Sequence, residues 1–157
     1  MKRPILALAA APMLVFAVTA CGGKPLDPAV KQAMDARHEG FEAMGDAMKK
    51  IADTLKGGGS LNPELAAAAG KINETAPQLK DWFPAGSGPE SGRKTGAKPE
   101  IWQQPEVFAE KREAFVAAAA KLAETAGAND AAAFATQVGE LGKTCKGCHE
   151  QFRNKDH

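Results

Sequence analysis

Residues 144–150 read Thr-Cys-Lys-Gly-Cys-His-Glu, which places Cys145, Cys148 and His149 in C-x-x-C-H register. On an α-helix, residues three and four apart share a face, so both thiols and the imidazole project from one patch. That grouping suits covalent attachment of haem. Two thiols form thioethers to the vinyl groups, and the adjacent imidazole turns to the iron as an axial ligand. Three other chemistries compete for these residues. A thioredoxin-type dithiol needs a strand-helix setting, and no βαβ pattern accompanies the motif. A zinc site wants four ligands; three cluster here, and His38 and His157 are poor candidates for a fourth. A Cys145–Cys148 disulfide would strain a helix and leave His149 without a role. Covalent haem is the reading adopted.

Such a patch needs a helix to carry it and a scaffold to enclose what it holds. Phe134, Val138, Leu141, Cys145, Cys148 and Phe152 recur at spacings of four and three, the seam of a packed helix, with Asn129 or Asp130 as its cap. Both cysteines belong to that apolar seam. Three more helices precede it. The first spans about 27–56: Asp27-Pro28 supplies a cap and a proline at the first helical position, and Gly57-Gly58-Gly59 ends the run. Its seam is Val30, Met34, Arg37, Phe41, Met44, Met48, Ile51 and Leu55. The second opens at Asn62-Pro63, buries Leu65, Ala68, Ala69, Ile72 and Ala76, and is ended or kinked by Pro77. The third starts at Pro99 or Pro105, carries a stripe of Ile101, Pro105, Phe108, Arg112, Phe115, Ala119 and Leu122, and stops at Gly127. Between the second and third, residues 81–98 are rich in glycine and proline without a period, a crossover loop with Trp82 and Phe83 pinning one end to the core. No run alternates as a strand would. The expected fold is all-α: an antiparallel four-helix bundle over 27–156 with one long crossover, the haem on its fourth helix.

The 157 residues suffice for one domain, with ordinary fractions of charged (25%) and hydrophobic (44%) residues. A net charge of +1 gives no reason to expect nucleic acid as a partner. Three cysteines is an odd count. The third, Cys21, follows a basic start (Lys2, Arg3) and an apolar run from Ile5 to Ala20 interrupted by Pro12, which reads as a signal peptide over 1–20. Val18-Thr19-Ala20-Cys21 resembles a bacterial lipobox, in which Cys21 is lipidated and becomes the mature N-terminus; cleavage after Ala20 with an incidental Cys21 fits the same residues. Either route exports the chain to the periplasm, where bacteria attach such haem. Loss of Lys2 and Arg3 leaves 18 basic residues against 19 acidic. A lipid at Cys21 would hold the domain within about 20 Å of the bilayer, at about 3.5 Å per extended residue.

Four blocks in this order resemble the cytochrome c′ family: Arg37-His38-Glu39-Gly40-Phe41-Glu42-Ala43-Met44-Gly45-Asp46-Ala47-Met48-Lys49, Trp82-Phe83-Pro84-Ala85-Gly86, Lys98-Pro99-Glu100-Ile101-Trp102, and Leu141 to Arg153 around the haem motif. The resemblance implies one haem c held through Cys145 and Cys148, His149 as sole axial protein ligand, binding of nitric oxide and carbon monoxide, a role in nitric oxide protection or electron transfer with an unidentified redox partner, and a homodimer through the first two helices. It places Phe41 over the distal face of the iron, where low-spin electron-transfer relatives carry a coordinating methionine. Phenylalanine has no lone pair to donate, and it offers no acid–base group for an enzyme such as a peroxidase. Met34, Met44 and Met48 share the seam with Phe41, as ligands or as core filler; His38 sits at its edge. Arg37 meets a haem propionate or snorkels to solvent. Arg153 lies by the proximal pocket or complements the helix dipole. Trp102 and Phe152 pack at the haem edge or simply in the core.

Overall fold

The computed structural model describes residues 25–155. The leader, Cys21 and the last two residues, with the upper boundary expected at 156, lie outside the described residues.

Four long helices form where capping chemistry starts them. In α1 (Pro28–Lys56), the Asp27 carboxylate accepts the Ala29 N–H at 2.8 Å, and Pro28 fills a position that needs no donor. At its end the Gly57 N–H reaches Asp53 O, and Gly58 takes φ +82° to turn the chain. In α2 (Pro63–Thr75), Asn62 accepts the Leu65 N–H at 3.0 Å. Pro77 does not stop the helical path; it tightens it into a 3-10 turn over Ala76–Asp81. Both candidate prolines open a helix. Pro99 precedes a single turn, Glu100–Gln103, and Pro105 begins α3 (Pro105–Gly127). The expected α3 stripe is corrected at two positions: Pro105 is exposed and Arg112 is half-buried, its guanidinium 3.5 Å from Glu113. In α4 (Ala131–Phe152) the cap is Asp130, which accepts the Ala133 N–H, while Asn129 adopts φ 53° in the connecting turn.

The helices pack as an antiparallel four-helix bundle in which α2 and α3 form the middle of the contact and α1 touches α4 only lightly. Ile51, Leu65, Ile72, Leu122, Phe134 and Leu141 are fully buried in the larger core. Each such side chain contributes about 1.5–3 kcal/mol. Ala69 and Ala119, both without exposure, let α2 and α3 approach closely. A second cluster of Ala97, Ile101, Phe108 and Phe152 sits under the crossover, and Phe83 packs against both. The crossover is fastened to the end of α4 by an isolated antiparallel bridge between Ala97 and Arg153. There the Lys98 N–H donates to Phe152 O at 3.0 Å and the Asn154 N–H to Gly96 O at 2.8 Å.

Candidate functional site

The last two turns of α4 present the C-x-x-C-H residues along the edge where α1 and α4 part. Cys145 is half-buried against the larger core, Cys148 against the second cluster, and His149 is exposed. Burial pushes both thiols above their ordinary pKa; at Cys148 the neighbouring Cys145 adds to this, while Lys111 works the other way. Burial, and then the positive charge of Arg153, hold the His149 imidazole below its ordinary pKa, so at neutral pH its lone pair is free to donate.

Opposite His149 stands Phe41, with ring centroids 6.4 Å apart. The same ring meets Trp82 edge-on at 5.3 Å and Phe83 at 6.4 Å. The expectation that Phe41 faces the bundle interior is corrected: it is 37% exposed. Its seam position points it toward α4, but the two helices splay there, and no side chain closes the gap. An exposed benzyl group facing an exposed imidazole, with two half-buried thiols beside an apolar core, is a surface that a flat, largely apolar macrocycle bearing a Lewis-acidic metal would cover. The residues present fit haem c.

Arg37 is 7% exposed, which overturns the solvent-facing alternative. Its guanidinium donates to Trp82 O, Ser87 Oγ, Ser87 O and Thr95 Oγ1 at 3.1–3.4 Å and stacks 4.9 Å over the Phe83 ring. Burial lowers its pKa, and those four acceptors are neutral oxygens. Arg37 therefore ties the crossover to α1. Trp102 fastens the other side of that loop, its indole N–H shared by Phe83 O at 3.1 Å and Pro84 O at 3.2 Å. Phe152 is buried against Phe108, ring centroids 5.2 Å apart, in the cluster behind Cys148. Arg153 is the exposed first residue beyond α4, its N–H on His149 O.

The other donors on α1 are engaged elsewhere. Met44 is buried in the larger core, and Met48 reaches across to Gly142, where an added Cβ would meet its Cε at 3.8 Å. Met34 is half-buried a further turn from the site, and His38 is on the surface, 3.5 Å from Glu42. Several residues that shape the site were not singled out from sequence. A Cβ at Gly40 would lie 2.0 Å from a Trp82 ring carbon, so the helix tolerates only glycine beside that indole. A glycine in mid-helix was the available signal. Ser87 and Thr95, which receive the Arg37 guanidinium, lie in an aperiodic loop and gave none.

A helix bearing C-x-x-C-H at the open edge of a four-helix bundle defines a c-type cytochrome. The sequence matches the family model for Cytochrome C′ over residues 32–153, and the chain belongs to the cytochrome c′ family. It therefore carries haem c bound covalently through Cys145 and Cys148. A cytochrome c′ of Pararhodospirillum photometricum is 36% identical over 120 residues, covering 76% of this chain and 94% of that one. A cytochrome c-554 of Cereibacter sphaeroides is 31% identical over 157 residues, covering 98% and 99%. Among solved structures, a cytochrome c′ with ligand-controlled dimer dissociation matches at a TM-score of 0.72 and 34% identity, over 84% of this chain and all of that one.

Proposed function

We propose that the protein is a periplasmic, five-coordinate, high-spin haem c protein that binds nitric oxide and carbon monoxide, with His149 as its sole axial protein ligand. The observation that carries this is the Phe41 ring set against His149 at 6.4 Å. The residue facing the imidazole has no atom able to coordinate iron, and Met44 and Met48 are spent on packing. When bound, the haem iron supplies an open coordination position suited to a diatomic ligand. The neutral His149 ring donates from one side. Phe41 and Trp82 keep the opposite side apolar and crowded, which excludes large or charged ligands and slows entry. Arg37, a buried cation held by neutral oxygens, favours a propionate carboxylate nearby. A cytochrome c prime from Alcaligenes xylosoxidans that shares this fold at a TM-score of 0.72 and 23% identity has been solved with nitric oxide bound. A homodimer through α1 and α2 is part of the same reading, supported by the dimeric relative described above.

The test is optical. Holoprotein from cells able to attach c-type haem is expected to show a high-spin ferric spectrum and, once reduced, to form a nitrosyl complex. A low-spin ferric spectrum with a methionine–iron charge-transfer band in the far red would replace this reading with an electron carrier of the six-coordinate kind. Phe41→Met is expected to create that six-coordinate spectrum; a variant that stays high-spin would show that the residue does not lie over the metal.

A further inference from the structure

The bridge between the crossover and the end of α4 gathers charge that the sequence keeps far apart. Residues 91–99 bring Arg93, Lys94 and Lys98; residues 144–155 bring Lys146, Arg153 and Lys155. Against these six cations the two segments hold one carboxylate, Glu150, which pairs with Lys146 at 3.7 Å. The neighbouring acids do not redress the balance. Glu90 is turned back onto the Gly88 N–H at 3.1 Å, and Glu100 has a buried carboxylate oxygen. Lys98 stretches its ammonium to Glu150 O at 3.2 Å, and Lys111 joins from α3, close enough for its charge to be felt at Cys148. The remaining described residues carry eleven cations against seventeen carboxylates. The molecule is thus polarised, and its positive end coincides with the exposed edge of the C-x-x-C-H motif.

We infer that this basic end is a docking surface for a carboxylate-rich protein that exchanges single electrons with the haem. A nearly neutral chain gains nothing in solubility from segregating its charge in this way. A local field of this kind raises encounter rates with an oppositely charged face and orients the encounter. Here it orients a partner toward the one edge at which His149 and Cys148 reach the surface. The docking stands on charge placement alone; only its use, passage of one electron with no bond or proton moved, rests on the haem reading.

The probe is an acidic [2Fe–2S] ferredoxin, titrated against the holoprotein at low ionic strength by calorimetry and, when reduced, mixed with ferric protein in stopped flow. Binding and second-order reduction are both expected, and both should weaken steeply as salt is added. The variant R93E/K94E/K155E should lose at least tenfold in affinity and rate at low salt and converge with the parent at high salt. Charge reversal of the distant Lys49, Lys56 and Lys71 should leave both nearly unchanged. Equal losses from the two sets, or no salt dependence, would overturn the proposal. So would vesicles of zwitterionic lipid with about one-third anionic lipid binding through the same three residues while the ferredoxin does not, which would make this a membrane-facing surface. A preparation without haem that still binds the ferredoxin with the same variant pattern would sink the haem reading and leave the surface standing.

Discussion

Arg37 shows how one side chain can serve two structural ends. Its guanidinium satisfies carbonyls and hydroxyls of an irregular loop while its stem stays in the helix seam. Arg37→Gln would leave Trp82 O and Ser87 O buried without their donor, at a cost of about 2–4 kcal/mol in unfolding free energy. Urea denaturation of the holoprotein checks this. Arg112→Gln, at a half-exposed position on α3, should change stability by less than about 0.5 kcal/mol, and equal effects would refute the structural role. The residue-level chemistry of Cys145, Cys148 and His149 was legible because spacing alone puts them on one face. The partners of Arg37 were not, because they come from a loop with no period to read. The exposure of Phe41 was not legible either. A repeat tells which face a residue occupies, but not how near the facing helix comes.

Helices were the most readable level, since each long one begins with a capping residue and proline or ends on glycine. What resisted was the interplay of two prolines at 99 and 105, each of which starts a helix of its own. Gly40 is the informative position in α1. Glycine to alanine in a helix usually gains about 1 kcal/mol. At Gly40 the new methyl would collide with Trp82, and displacing a packed indole costs about 1–3 kcal/mol or more. Gly40→Ala should therefore be destabilising on balance and should shift tryptophan emission. Gly45→Ala, which meets nothing within 4 Å, should be neutral or stabilising. If both substitutions stabilise, the indole does not rest on the helix as described.

At the scale of the whole molecule, the outer face of the first turns of α1 is lined by Ala29, Ala33 and Ala36, with Gln78, Asp81 and Trp82 across a shallow cleft. Small side chains allow a second copy to approach closely, in keeping with the proposed dimer. Ala33→Arg should shift sedimentation from dimer to monomer without altering the ferric spectrum; a parent protein already monomeric at high concentration would remove the dimer. The bundle itself was visible in the sequence as four seams. The polarity of its charge was not, because Arg93 and Arg153 meet only once the crossover is fastened to the last helix. That fastening has a mechanical consequence. Helix ends ordinarily fray, and an imidazole two positions from free chain would swing with every opening of the final turn. With Phe152 and Asn154 clasped by residues more than fifty positions upstream, that turn is held from outside, and the ring at 149 keeps its aim as steadily as if the helix ran on.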